Sequence, residues 1–352
     1  PAVHYSTKRK TIRDPMTANL FDPDLKTPLP LPAQDSWPAS THRFELKSVW
    51  AVRAAIASGR PLLLRGEPGI GKSQLARAVA EHLQVPFLHH VVDERSERDE
   101  LLYTYDAVAR LAEAQVSALS AKADPGNWKQ KLKERNFFRP GVLWWAFNWN
   151  DAAKQAAEFS KHCRECKAPK TPGNWTSASD RVCGPVVLID EIDKADPSVP
   201  NGLLESLGNQ GFQTAQLGDT IGLADGAKPP LVIITTNEER ELPAAFLRRC
   251  LVLQMLFPTD SAKAETFLIH ERARVHWKAD QVSDAICKEI VQQLMAERSD
   301  SRQSGMAIPG AAEFLDILHV LVKLCPGDDV KQREALKQVS EFALKKNLEE
   351  QP

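Results

Sequence analysis

The sequence predicts an α/β fold: a five-stranded parallel sheet between helices, followed by a small all-α domain. Three observations predict it. Short apolar runs alternate with segments of helical periodicity from residue 61 to residue 256, which is typical of strands covered on both faces. Beyond Pro258 the strand signals end and apolar residues recur at helical spacing. A chain of 352 residues is also long enough for two domains.

The predicted elements follow one another along the chain. A helix is expected over 44–58, with Gly59 as its stop. The next helix is expected over 73–83. The five predicted strands are 61–64, 85–92, 186–189, 231–234 and 251–256. The predicted helices after Pro258 are 261–275, 281–296, 309–324 and 330–348.

These elements divide the chain into three predicted regions. Residues 1–40 carry several prolines and little periodic hydrophobicity, which predicts an extended tail or linker. It either docks on the core or on a neighbouring subunit, or it is disordered. Residues 41–258 form the predicted α/β domain, and residues 259–352 form the predicted helical domain. A long insert at about 95–184 exceeds any ordinary connection and must have structure of its own, with helices expected over 98–121 and 150–162.

A glycine-rich turn follows the first predicted strand. Gly66-Glu-Pro-Gly-Ile-Gly71-Lys72-Ser73 fits the pattern G-x-x-x-x-G-K-[ST] without a mismatch, between a strand and a helix. Glycines let backbone N–H groups turn inward around phosphates, and the start of the helix adds the positive end of its dipole. Lys72 is expected to reach the β- and γ-phosphates of ATP, and the Ser73 hydroxyl to ligate Mg²⁺. The residues predicted to bind the nucleotide are Gly66, Glu67, Pro68, Gly69, Ile70, Gly71, Lys72, Ser73, Gln74 and Asp190.

Two acidic residues leave the third predicted strand, in Val186-Val-Leu-Ile-Asp190-Glu191. A carboxylate at this position lies at the carboxyl edge of the sheet, where open α/β folds bind their ligands. Asp190 is expected to hold Mg²⁺ through water, so that Ser73 and Asp190 are the predicted metal ligands. Glu191 is expected to orient and deprotonate the attacking water. The alternative is an Asp–Glu pair that only caps the next helix.

Two further motifs complete a pattern of four in fixed order. The fourth strand ends in Thr236-Asn237, and Phe246-Leu-Arg248-Arg249 precedes the last strand. Together the motifs resemble the AAA+ superfamily and, within it, the MoxR and dynein-related (McrB-like) group, over about residues 41–325. The resemblance implies a P-loop core with an α-helical lid, and it places Asn237 at the sensor-1 position. Arg248 and Arg249 match the arginine-finger position, which acts on the nucleotide of an adjacent protomer.

The resemblance also implies how such a protein works. It implies ATP hydrolysis in a homo-oligomer, with a hexameric ring as the expectation, and an arginine finger contributes ~10³–10⁵ in rate where it has been measured. MoxR-type proteins act as chaperone-like ATPases on partner proteins, some with a von Willebrand factor A domain. One departure concerns the lid: Ile308-Pro-Gly-Ala-Ala312 offers no sensor-2 arginine, and Arg302 is a candidate substitute.

Other features of the insert leave alternatives open. Its aromatic residues either grip a substrate or partner, or pack the insert onto the core. His162-Cys163-Arg-Glu-Cys166 is half of a structural zinc site, with Cys183 or a histidine needed to complete it, or else these are ordinary loop cysteines. A short β-hairpin is expected within 208–224. The tryptophans of the insert are Trp128, Trp144, Trp145, Trp149 and Trp175.

Composition narrows the classes of function. Lys+Arg 45 against Asp+Glu 46 gives no basic excess, which disfavours but does not eliminate a nucleic-acid partner. Apolar runs are of strand length, so no membrane association is expected, and scattered cysteines suggest a reducing cytoplasm. Three hypotheses remain: a ring ATPase that remodels a protein, a McrB-like NTPase associated with nucleic acid that favours GTP, and a nucleotide-dependent assembly switch with little turnover.

Overall fold

Residues 21–42, which we call the strap, pack on the core. A computed structural model describes residues 21–120, 131–173, 175–177, 181–214 and 220–344. Strands β1 (Leu29–Leu31) and β2 (Ser40–His42) pair antiparallel, and helix α1 (Leu46–Ser58) ends at Gly59, which has a φ of 66°. The helix confirms the prediction over 44–58.

Arginine side chains of two core helices hold this strap. Arg53 Nε in α1 donates to the Phe21 carbonyl at 2.7 Å. Arg77, in the helix that follows the glycine-rich turn, donates to the carbonyls of Pro38 (2.9 Å) and Pro32. The part of the predicted tail that the structure describes therefore docks on the core of its own chain, whereas residues 1–20 lie outside the described residues.

The first two core strands flank the glycine-rich turn and its helix. They are β3 (Leu62–Arg65) and β4 (Phe87–Val91), separated by α2 (Lys72–Leu83). All three leucines of β3 are fully buried, as expected of a strand with helices on both faces. Both strands confirm the predictions at 61–64 and 85–92: β3 is displaced by one residue, and β4 is shorter at both ends.

The described part of the insert contains a two-stranded sheet and several helices. A 3₁₀ turn (Arg98–Leu101) leads to β5 (Tyr103–Tyr105) and α3 (Ala107–Ser120). A second 3₁₀ turn (Glu134–Phe137) leads to β6 (Phe138–Pro140), α4 (Val142–Phe147) and α5 (Trp149–His162). The single helix predicted over 98–121 is therefore wrong before residue 107. Tyr-Thr-Tyr favours a strand, and β5 pairs antiparallel with β6, a long-range partner that periodicity does not reveal. The helix predicted over 150–162 is confirmed.

The insert buries most of its described tryptophans. Trp144 and Trp145 are 0% and 4% exposed, and Phe147 and Trp175 are also buried. Trp144 contacts Phe212 edge to face, with 5.8 Å between ring centres. For these residues the packing alternative is therefore correct, and gripping by Trp144 and Trp145 would require the insert to open. Trp128 lies outside the described residues.

The remaining core strands alternate with helices. They are β7 (Val186–Asp190), a 3₁₀ turn (Ile192–Lys194), α6 (Ser198–Asn209), β8 (Gly211–Gln213), β9 (Thr220–Gly222), β10 (Leu231–Thr236), α7 (Ala244–Arg249) and β11 (Leu251–Gln254). Strands β8 and β9 pair antiparallel, which confirms the predicted hairpin. Its turn, 215–219, lies outside the described residues.

The five core strands form one parallel sheet in the order β11-β3-β10-β7-β4. Separate clusters of buried apolar side chains cover its two faces. Because all strands run the same way, the chain leaves β3, β7 and β10 at the same edge. That edge collects Gly66, Asp190 and Asn237, which are far apart in the sequence.

A helical domain follows the sheet. It consists of α8 (Ser261–Glu265), a π-helical segment (Thr266–Ala273), α9 (Arg274–His276), α10 (Asp284–Ser304), α11 (Ala311–Leu324) and α12 (Asp329–Ala343). Its apolar faces share a core cluster with Ile70 of the glycine-rich turn and Phe257. We call this domain the lid. Across the described ranges, the model contains no helix of the length and apolar character needed to cross a bilayer.

Candidate active site

Glycines shape the loop between β3 and α2, which we call the P-loop (66–71). Gly66, Gly69 and Gly71 have φ of 152°, 74° and 104°, values that side-chain-bearing residues rarely adopt. A Cβ on Gly66 would lie 2.2 Å from the Met255 carbonyl oxygen. The loop therefore needs glycine for both its turns and its close contacts.

Lys72 opens α2 and is almost completely buried, at 6% exposure. Its ammonium donates to the carbonyls of Gly66 (2.6 Å) and Glu67 (3.0 Å) and to Asn237 Oδ1 (2.7 Å). Burial lowers the pKa of Lys72, and the negative charge of Asp190 offsets part of that effect. The ammonium thus lies at the mouth of the P-loop, beside residues of two other strands.

The hydroxyl of Ser73 faces the carboxylate of Asp190. Ser73 Oγ donates to both carboxylate oxygens, at 2.8 and 3.0 Å. A hydroxyl and a carboxylate side by side supply the oxygen ligands that Mg²⁺ prefers. The two residues predicted to bind the metal are therefore in contact, although 117 positions separate them.

Glu191 leaves β7 in a left-handed conformation, with φ of 59°. Its carboxylate accepts from Asn237 Nδ2 at 3.2 Å and from Lys194 Nζ at 2.6 Å. Because Asn237 Oδ1 accepts from Lys72, one amide contacts both the lysine and the glutamate. A non-glycine residue at positive φ costs of order 1–3 kcal/mol and occurs most often at functional sites.

Two buried residues that the sequence did not single out hold the chain around this site. The Thr235 hydroxyl donates to Asp190 Oδ1 and accepts from the Glu191 N–H at 2.9 Å. The Asp193 carboxylate, on a residue 2% exposed, accepts from the Glu239 N–H at 3.0 Å. Both lie within a few residues of the predicted motifs, yet a threonine in a strand and an aspartate after one carry no distinctive signal of their own.

Arg248 and Arg249 lie apart from this group. They occupy the last turn of α7, with exposed side chains, and their carbonyls accept from Arg60 at 2.6 and 3.1 Å. Within the described ranges, no hydrogen bond or ion pair joins either side chain to another group. The structure thus does not bring the predicted arginine finger to the site of its own chain.

The lid places a different arginine on the P-loop. Arg298 in α10 donates to both Glu67 carboxylate oxygens, at 2.7 and 3.0 Å, whereas Arg302 lies 3.7 Å from Glu67. The segment Ile308–Ala312 brings no charge to the loop. The sequence did not predict the contact of Arg298, because its partner is distant in sequence and Arg298 lies within a helix, outside any recognisable motif.

A cavity of about 330 Å³ lies between the strap, the P-loop helix and the lid. Its volume is in the range of small-molecule sites. The predicted residues Gly69, Ile70 and Gln74 reach it. Its polar lining includes His42, Glu45, Arg272, His276 and Asp316.

The cysteines of the insert do not form a metal centre with other described residues. Across the described part of the chain, no three His, Cys, Asp or Glu side chains lie close enough to hold one ion. Burial raises the pKa of Cys163 to about 11 and that of Cys183 to about 12.

Comparisons with known proteins give a family. The sequence profile of the AAA domain (dynein-related subfamily) matches residues 61–250. A proposed ATPase from Cytophaga hutchinsonii is 13% identical and has a TM-score of 0.34, over 84% of this chain and 78% of that one. A single-substitution variant of RuvB from Thermotoga maritima is 15% identical and has a TM-score of 0.35, over 84% and 75%. No curated protein sequence matches the chain.

Proposed function

Because the chain belongs to the dynein-related subfamily of AAA domains, we propose that it binds ATP with Mg²⁺ at the P-loop and hydrolyses it. The observation that carries the proposal is the contact of Ser73 with Asp190, at 2.8 Å, beside the Lys72 ammonium. Four side chains of the kinds used in phosphoryl transfer lie at one edge of the sheet: a cation, a hydroxyl and two acids.

The donor set fits Mg²⁺. Ser73 Oγ and the Asp190 carboxylate would hold the ion, which when bound neutralises charge on the β- and γ-phosphates. Lys72 would exchange its carbonyl partners for phosphate oxygens, and the P-loop N–H groups would donate to the same oxygens. Glu191 would accept the proton of the attacking water, whose position Asn237 helps to fix.

We further propose that the active form is a ring, with a hexamer as the expected size. Arg248 and Arg249 support this, because they are exposed and have no described partner within the chain. A neighbouring protomer would supply one of these guanidinium groups to the γ-phosphate.

The work done by this cycle is proposed to be the remodelling of a partner protein, as the MoxR resemblance implies. A partner with a von Willebrand factor A domain is the first candidate, and nucleic acid is the second. Stimulation of hydrolysis by a protein partner would support the first, and stimulation by DNA the second. Nucleotide-dependent assembly without turnover would support the assembly switch.

The decisive experiment measures ATP hydrolysis per subunit against protein concentration, for the wild type and for Glu191→Gln. We expect a specific rate that rises steeply with concentration in the wild type and is lost in the variant, which should still bind ATP. Glu241→Gln, at an exposed glutamate, is the matched control and should hydrolyse ATP at the wild-type rate. Hydrolysis that survives in Glu191→Gln would contradict the proposed role of this residue.

A further inference from the structure

Arg298 is a buried cation in the lid with a complete set of partners. It is 2% exposed, and its guanidinium contacts the Glu67 carboxylate, the Pro309 carbonyl and the face of Phe257, with 3.8 Å between its Cζ and the ring centre. Burial of a charge costs free energy unless the charge is paired and hydrogen-bonded. Removal of one partner therefore leaves the other charge buried without compensation, which is strongly destabilising. The contact with Glu67 is therefore a strong constraint on where the lid can lie.

Glu67 transmits this constraint to the site. Its side chain accepts from Arg298, while its backbone carbonyl accepts from Lys72 Nζ at 3.0 Å. One P-loop residue is thus bound by the lid on one side and by the predicted phosphate-binding lysine on the other. Movement of the carboxylate would shift the peptide groups of the P-loop, whose N–H groups are proposed to donate to the phosphates.

The next two P-loop residues also contact the lid. A Cβ built on Gly310, at the start of α11, would lie 3.4 Å from the Pro68 carbonyl oxygen. A Cβ on Gly69 would lie 2.7 Å from Ala312 Cβ, so only glycine allows this approach. Three consecutive residues of the loop therefore face the lid, and Glu67 supplies the charged contacts among them, with Arg298 at 2.7 Å and Arg302 at 3.7 Å.

We propose that Arg298 is a positioning residue that couples the lid to the P-loop through the Glu67 carboxylate, and that it does so without contacting the phosphates. The inference rests on the proposed function. Arg298 holds the loop in place while nucleotide is bound, so the Glu67–Arg298 pair should slow nucleotide dissociation.

A double-mutant cycle of Glu67→Gln, Arg298→Met and the double variant tests the coupling. These changes remove charge and largely keep side-chain volume. The dissociation rate of a fluorescent ATP analogue, KM and kcat would be measured for each protein. We expect each single variant to dissociate the analogue roughly tenfold faster, within the usual range of coupling between sites. KM should rise more than kcat falls.

The double variant should release the analogue no faster than the single variants, because both substitutions break the same interaction. Arg298→Lys keeps the charge without the fork that binds two oxygens, so its dissociation rate should lie between those of the wild type and Arg298→Met. Arg333→Met is the matched control, since Arg333 pairs with Glu289 at 2.7 Å elsewhere in the lid.

Two results would overturn the inference alone: wild-type dissociation from Glu67→Gln, or single effects that multiply in the double variant. Glu67 is partly exposed, so its variant remains informative even where Arg298→Met folds poorly. Absence of ATP binding by the wild type would instead overturn the proposed function, and this inference with it.

Discussion

The Thr235 hydroxyl contacts both Asp190 and Glu191, where β7 ends. It donates to the Asp190 side chain and accepts from the Glu191 backbone N–H, and the residue is 1% exposed. Glu191 adopts a positive φ of 59°, and this hydrogen bond holds it there. Thr235 therefore orients the predicted metal ligand and the predicted base together, although it would touch neither ATP nor water.

Removal of that hydroxyl should lower turnover. In Thr235→Val the Glu191 N–H loses its partner in a buried position, at a cost of ~1–3 kcal/mol. If this cost falls on the transition state, kcat drops roughly 5- to 150-fold. Steady-state hydrolysis of the purified variant measures it.

The control is Thr236→Val, because the Thr236 hydroxyl accepts from the Glu238 N–H at 3.0 Å and contacts neither acid. Equal losses in the two variants would mean that the β10 hydroxyls matter only for the fold.

His42 should make stability depend on pH. Burial lowers the pKa of His42 to about 3, and the positive charge of Arg272 acts in the same direction. Below the unfolded value of about 6.5, the unfolded chain takes up a proton that the folded chain does not, so stability falls with pH from 6.5 towards 3. At pH 5 the loss from this group is up to about 2 kcal/mol.

His42→Gln should lose less stability than the wild type between pH 7 and pH 5, as measured by urea unfolding. His319→Gln, at an exposed lid position, should follow the wild type. Parallel pH profiles for the wild type and His42→Gln would contradict the assignment.

The core strands and the P-loop could be predicted because their signals are local. Each strand is a short apolar run, and the loop is a single contiguous motif in β3–α2. The β5 strand and the Arg298–Glu67 contact could not be predicted in the same way. Their partners lie about 35 and 231 positions away in the sequence, and hydrophobic periodicity does not indicate such long-range pairs.

Aromatic residues of α4 should contribute to stability. Trp144 is fully buried, and its indole N–H donates to Asp151 Oδ2 at 2.8 Å. Trp144→Ala should therefore destabilise the protein by about 3–5 kcal/mol, the usual cost of a large cavity. Thermal or urea unfolding measures it.

Trp50→Ala is the comparison, since Trp50 is 53% exposed and should change stability by no more than about 1 kcal/mol. A Trp144→Ala variant of wild-type stability would revive the hypothesis that the α4 tryptophans grip a partner.

The predicted catalytic groups lie on two surfaces: the carboxyl edge of the sheet and the end of α7. Lys72, Ser73, Asp190, Glu191 and Asn237 meet at the carboxyl edge, whereas Arg248 and Arg249 extend from α7 without a described partner. A site that needs both sets is incomplete in one chain. Oligomerisation would then be a requirement of the chemistry and not only a means of assembly.

Mixing two inactive variants tests this division. Glu191→Gln retains its arginines, and the double variant Arg248→Ala/Arg249→Ala retains its acid. In a randomly mixed ring, about a quarter of the interfaces join an intact acid to an intact arginine, since each is present in about half of the protomers. The mixture should therefore recover up to about a quarter of wild-type ATP hydrolysis.

Either variant alone should stay inactive. Mixing Glu191→Gln with Lys72→Met is the control. The defective groups of this pair lie on the same surface, so the nucleotide site of every protomer lacks either Lys72 or Glu191. No interface is then complete, and activity should not return. Recovery in this control would mean that the two acids and the lysine can be supplied by different chains. No recovery in the arginine mixture would place the role of Arg248 and Arg249 within one protomer.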